Sequence, residues 1–325
     1  MNAYFMIVLL SFVLFFVVWA LGWLLETLSR FVLSTARNPG SRAWYMLVGP
    51  GVALHESSHA LGCVFTRTKI VEFKPINVTV EEDRIILGYV RYVNPASSLK
   101  RAVINLAPVA VSLVLLTFFA LAATYLVPGT RLGGQAIDLL YTLIDIKSQP
   151  AALADWLLPV ELIGGFLYSF LYAFSGLTVI NPLFWIIAFL AMTIMFSNAP
   201  SDVDIKNAKT GLIFIIVFNL IWLCVAYVFP AAGFVLLGLY ELLAVMFALA
   251  LAFAGLAYGF FILVAGLARI KSPLQIIPLL GCLGSGISLS YFAFGTAAFQ
   301  TVVSIGVLVA LMLLLLAIKS TRASG

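Results

Sequence analysis

Leu239–Ala268 reads LYELLAVMFALALAFAGLAYGFFILVAGLA, thirty positions in which Glu241 is the one charge. A helix rises about 1.5 Å per residue, so roughly 20 apolar residues cross a hydrocarbon core of about 30 Å. A stretch this long and this poor in polar side chains offers water nothing to solvate. In lipid a backbone must satisfy its own hydrogen bonds, which a helix does. The segment predicts a transmembrane helix.

The pattern repeats outward along the chain. Further spans are expected near Tyr4–Leu25, Trp44–Phe65, Leu99–Leu126, Thr178–Phe196, Gly211–Phe229, Leu274–Phe294 and Thr296–Ile318. Pro159–Leu177 is apolar but broken by glycine, and carries no assignment. The expected fold is an all-α polytopic membrane protein of about seven or eight transmembrane helices, one membrane domain over residues 1–325. Composition agrees: 63% of positions are hydrophobic and 10% charged, with a mean hydropathy of +1.14. A water-soluble globular chain runs nearer half apolar and one quarter charged. The first span lacks a basic stretch before it and a small-residue cleavage site, so it reads as an anchor and not a signal peptide. Cys63, Cys224 and Cys282 lie singly in apolar runs and read as packing residues, with no disulfide framework.

The remaining charges lie mostly between spans. The net charge of +5 comes from lysines and arginines that flank apolar runs, a positive-inside pattern and not a nucleic-acid patch. Lys69–Val93 (KIVEFKPINVTVEEDRIILGYVRYV) is rich in β-branched and aromatic residues, and predicts a small β-hairpin or sheet inserted between spans. Arg67, Lys69, Lys74, Arg84, Arg91, Lys100 and Arg101 place this insertion on the cytoplasmic side. Arg30, Arg37 and Arg42 disagree unless the following segment enters and leaves by one face. Within the insertion, Ile85–Val93 is expected as an edge strand that takes up an extended peptide by β-addition, through Ile85, Leu87 and Tyr89. A plain hairpin bracing the helix ends is the alternative. Pro128–Glu161 mixes glycine, proline and scattered charge, and suggests no particular structure. Glu161 and Glu241, at the ends of apolar segments, read as interfacial charges.

His55-Glu56-Ser57-Ser58-His59 holds both histidines of the chain. Positions four apart share a helix face, so both imidazoles can reach one metal ion. Glu56 projects about 100° round the helix, where it can take a proton from a water on that metal. Zinc asks for such an arrangement: nitrogen ligands at about 2.0–2.1 Å, a further protein ligand and one position open to water. Chance packing of two histidines is the plain alternative. Ionisable groups within a membrane are costly, however, and mark function by default. One zinc ion per chain, held by His55 and His59 with Glu56 as general base, is therefore expected.

Three blocks carry a resemblance. HESSHALGCVFTRTKIVEF looks like the HExGHAlxA…GxxVxxF pattern of the site-2 protease family of intramembrane zinc metalloproteases, with Ser58 where glycine is usual and Thr68 near the later glycine. NPASSLKRAVINLAPVAVSLVLL is similar to that family's proline-started helix with its GP-x-x-N signature; Ala107-Pro108 replaces Gly-Pro, and Ser112 stands at the asparagine position. SNAPSDVDIKNAKTG stands where the family places N-x-x-P-x-x-x-L-D-G, with Asn198 and Pro200 present but no LDG.

The resemblance implies a metalloprotease-like core over 44–208, with 69–93 as its β insertion and 209–325 as additional helices. It implies a third ligand from the last block, Asp204 in preference to Asp202, and Asn198 among the substrate-binding residues. Ser201 as an N-cap would put both aspartates in a first turn, where the helix dipole favours acids whatever their function. The implied activity is hydrolysis of peptide bonds in or near transmembrane segments of membrane-protein substrates, at a site facing the cytoplasm. The rival reading is a non-catalytic transporter or scaffold with a structural or vestigial zinc site.

Overall fold

The computed structural model describes residues 1–325 except 36–41, 78, 82–83, 87, 128–130, 235, 237 and 324–325. The helices are α1 (Ala3–Thr35), α2 (Arg42–Phe65), α3 (Ser98–Leu126), α4 (Leu132–Asp145), α5 (Pro150–Ala154), α6 (Leu158–Ser175), α7 (Pro182–Ser197), α8 (Asp202–Val228), α9 (Leu239–Ala268), α10 (Ile276–Tyr291) and α11 (Ala297–Ala323). Between α2 and α3 lie four short strands, β1 (Ile70–Lys74), β2 (Thr79–Glu81), β3 (Arg84–Ile86) and β4 (Tyr89–Tyr92).

Six helices, α1, α3, α6, α8, α9 and α11, are long and apolar enough to cross a membrane, and the chain is a multi-pass membrane protein built mostly of helix. Two expected spans come out shorter. Helices α7 and α10 have 16 residues each, about 24 Å at 1.5 Å per residue. Helix α2 has the length of a span, 24 residues, but spends positions on His55, Glu56 and His59 and is not among the six. Conversely, the unassigned Pro159–Leu177 stretch forms α6. Each helical glycine there costs about 1 kcal/mol against alanine. Ile163, Phe166, Phe170 and Phe174, at helical spacing, bury one face and override that cost.

Helix α9 sits at the centre, its alanines (Ala244, Ala248, Ala257 and others) buried against α1 and α7. Helix α8 is peripheral and turns Ile213, Phe214, Val217, Phe218 and Ile221 outward, apolar side chains that suit lipid. Helices α10 and α11 pair, and α11 packs on α6, where Thr301 Oγ1 donates to the Ser175 carbonyl at 2.6 Å. The Pro128–Glu161 region is not shapeless. Helix α4 buries Leu132, Ala136, Leu139 and Leu143 along one face.

That region also corrects the reading of Glu241. Its side chain is fully buried, not interfacial, and ion-pairs with Lys147. The Lys147 ammonium lies 5.9 Å from the centre of the Tyr4 ring. Glu161 is exposed in the first turn of α6, as a surface charge should be.

The insertion is a nested pair of antiparallel ladders, β1 with β4 and β2 with β3. The expected continuous strand Ile85–Val93 is split between them. Ile85 and Ile86 belong to β3, Leu87 lies outside the described residues, and Tyr89 opens β4. The outer ladder stops at Lys74↔Tyr89 because the next residue, Pro75, has no N–H to contribute.

Candidate metal centre

Four elements converge on one point. Helix α2 carries His55, Glu56 and His59, α8 brings Asp204, and α7 and α3 supply backbone carbonyls. His55 Nδ1 donates to the Ser197 carbonyl and His59 Nδ1 to the Ile104 carbonyl, each at 2.9 Å. A carbonyl can only accept, so in each ring Nδ1 carries a proton, and in the neutral ring Nε2 then presents its lone pair. The two Nε2 atoms face each other at 3.0 Å. Asp204 closes the triangle, with Oδ2 3.4 Å from His55 Nε2 and Oδ1 3.1 Å from His59 Nε2. His59 and Asp204 are buried and His55 nearly so.

With both rings neutral, two imidazole lone pairs and a carboxylate face one another, an arrangement relieved by a metal cation between them, as it is by a proton on Nε2 shared with Asp204. The donor set therefore fits a metal ion, and these three residues all lie within 4.8 Å of one another at their ligand atoms. These are two nitrogens and one carboxylate oxygen, so an ion held there in tetrahedral coordination would have a fourth position left over.

The two carbonyls are available for a reason written in the backbone. In α3 the residue four positions after Ile104 is Pro108, which has no N–H, so the Ile104 carbonyl loses its helical donor and can serve His59. Ser197 ends α7, where last-turn carbonyls lack helical donors. The N–H four residues on, that of Ser201, instead donates to Asp204 Oδ2 at 2.9 Å.

Asp204 thus has two roles. Ser201 caps α8, its hydroxyl accepting from the Asp204 N–H and lying 2.8 Å from Asp204 Oδ2, a reciprocal capping box. The cap fixes the carboxylate, and the remaining lone pairs meet the histidines. Asp204 lies in the first turn of α8, and its carboxylate also stands within ligand distance of both histidines. Asp202 opens α8, but its side chain lies outside the described residues.

Close helix approach makes both carbonyl contacts possible. Gly51, one turn before His55, faces α7 so closely that a Cβ would stand 2.8 Å from the Thr193 carbonyl oxygen. Gly62, one turn after His59, faces α3, and a Cβ there would stand 2.9 Å from Ile104 Cα. Ordinary carbon contacts are about 3.5–4.0 Å. Each histidine therefore has a glycine on its own helix that admits the helix anchoring it.

Glu56 lies between the two histidines in sequence, and its carboxylate is close enough to couple electrostatically to His55, His59 and Asp204 and to the backbone amide of Val90 in β4. Strand β4 thus lies beside the proposed base. Tyr92, at the end of β4, approaches the Asn105 side chain on α3; burial pushes its hydroxyl pKa up. Of the other candidates, Tyr89 donates to Glu72 at 2.9 Å. Asn198 is buried and binds the Val18 carbonyl of α1 at 3.1 Å, which fastens the end of α7. Ser112 donates to Ser197 Oγ at 3.4 Å. Ile85 keeps its place in β3. Sequence reasoning missed Ile104, Pro108, Ser197, Gly51 and Gly62 as parts of the site. A proline four residues after a buried carbonyl was the readable signal.

No family model, curated protein or solved structure matches this chain.

Proposed function

We propose that this chain is an intramembrane zinc metalloprotease, similar to the site-2 protease family, that cleaves peptide bonds in or near transmembrane segments of membrane proteins. One observation carries the reading: three lone-pair donors converge at hydrogen-bonding separations, directly beside a carboxylate that is not one of them. A structural site has no use for that fourth group.

His55 and His59 would hold the ion through Nε2, and Asp204 would hold it through its carboxylate. Zinc bound there supplies Lewis acidity and a water of pKa about 7. Glu56 accepts the proton of the attacking water at its carboxylate and returns it to the departing amine nitrogen. The Nδ1 bonds to Ser197 and Ile104 keep both imidazoles oriented throughout. Among the described residues β4 pairs only with β1, so its second edge can take an extended peptide by β-addition. Val90, on that strand, already lies against Glu56, so a peptide held there passes the base. The cations around the insertion favour a site facing the cytoplasm.

Hydrolysis of a quenched transmembrane peptide in proteoliposomes, with metal content measured in parallel, tests this. Glu56→Gln should keep its zinc and lose at least about 100-fold in rate. A wild-type protein that binds zinc stoichiometrically and cleaves no transmembrane peptide would return the site to a structural role. Zinc lost from Glu56→Gln would make Glu56 a ligand and the mechanism wrong.

A further inference from the structure

Beside the metal centre, an open groove of about 350 Å³ runs between the second half of α2 and the first half of α8, floored by α3. Its walls are Leu61, Phe65, Leu99, Val103, Phe214 and Ile215, and no polar side chain lines it. Leu61, Phe65, Leu99, Val103 and Phe214 are all exposed. The groove therefore opens outward along the helices and is not a sealed core defect.

The groove's length and wholly apolar lining suit extended hydrocarbon. Along α3 the groove reaches from Leu99 to Val111, roughly 18 Å at 1.5 Å per residue. That is close to one leaflet, about 15 Å of hydrocarbon.

Charge decides the headgroup. The groove begins at the end of the bundle that carries the β insertion. There Arg67 follows two residues after Phe65, Lys69 opens the way into β1, and Lys100 sits beside Leu99 in the first turn of α3. All three side chains are exposed, and none is ion-paired among the described residues. Cations at the mouth of an interhelical apolar cleft suit an anionic lipid headgroup.

We propose that this groove is a binding site for one anionic diacyl phospholipid, an acyl chain lying along α3 and the phosphate meeting Arg67, Lys69 and Lys100. The site is separate from the peptide-cleaving reading and stands without it. Its walls belong to α2 and α8, the helices that bear the metal ligands, so the lipid also braces their spacing.

Native mass spectrometry of the full chain, delipidated and then offered phosphatidylglycerol and phosphatidylcholine with identical acyl chains, tests this. Wild type should retain one phosphatidylglycerol at least tenfold in preference. Ala110→Phe, which fills the groove from an exposed position, should lose retention of both lipids. Lys100→Glu together with Lys69→Glu should keep a lipid but lose the preference. An unchanged thermal midpoint shows that each variant is folded. Equal retention of the two lipids by wild type overturns the headgroup assignment. Undiminished retention by folded Ala110→Phe overturns the site, as does displacement of bound lipid by an apolar transmembrane peptide at equimolar concentration.

Discussion

Replacing Pro108 by alanine should stabilise the protein and weaken its metal site at once. Alanine restores an N–H four residues after Ile104, and an alanine in a helix interior is favoured over proline by about 3 kcal/mol. The restored donor competes for the carbonyl that now accepts from His59 Nδ1 at 2.9 Å. A displacement of about 0.6 Å takes that contact to 3.5 Å, where it ceases to be a useful hydrogen bond. A metal-bound histidine that loses such a partner typically costs 10–100-fold in affinity, about 1.4–2.7 kcal/mol. Competition with a chromophoric zinc chelator measures the affinity, and thermal unfolding in detergent measures the stability. The signature is opposite signs: a higher midpoint with weaker zinc. Zinc affinity unchanged, or falling together with stability, would refute the account and leave Pro108 a packing residue.

Gly62→Ala should weaken zinc by about 10-fold or more, because its Cβ would stand 2.9 Å from Ile104 Cα and push α3 away. Gly49→Ala, whose Cβ meets nothing within 4 Å, should leave zinc unchanged in the same chelator competition. Asp204→Asn should cut zinc affinity by about 100-fold or more, since it removes the anionic ligand. Ser201→Ala should cost about 1 kcal/mol of stability through the lost cap with a smaller loss of metal; elemental analysis and unfolding separate the two. In the β insertion, hydrogen bonds from Lys74 and then Tyr89 hold the Glu72 carboxyl below its usual range. Its contribution is therefore full above the unfolded value of about 4.3 and lost as pH falls through the lower folded value. Hydrogen-exchange protection of Tyr89–Tyr92, corrected for intrinsic rates, should drop over that window in wild type and show no such step in Glu72→Gln.

The parts of the site that were legible are those carried by side chains at helical spacing. His55, Glu56 and His59 announce themselves by i, i+4 geometry, whereas the residues alone left Asp202 and Asp204 open and only the family resemblance favoured Asp204. The carbonyls of Ser197 and Ile104 have no side-chain signature, since any residue supplies one; only Pro108 betrays the second. The longer apolar helices followed from hydropathy, but α4 and α5 did not, and neither did α6, where a buried phenylalanine face outweighed Gly164 and Gly165. Glu241 misled for a different reason. A carboxylate in a first turn is satisfied electrostatically by its own helix, and nothing local points to Lys147, which arrives from a distant stretch of chain. The split of Ile85–Val93 into two ladders was hidden because strand propensity is continuous there and Pro75, on the opposite strand, ends the pairing.

The Lys147–Glu241 pair also sets an order of events at the ribosome. Lys147 is synthesised well before α9, so while the earlier helices enter the bilayer its carboxylate does not yet exist. Leaving a cation within lipid costs about 2.5–3.5 kcal/mol on the scale of translocon-mediated insertion. Burying Lys147 against Tyr4 before Glu241 emerges would bear the cost of a buried charge without its compensating carboxylate, so the pair favours docking of the α4–α5 segment only after α9 is made. A nascent chain arrested before α9 would carry a lysine whose buried partner, Glu241, has not yet been made.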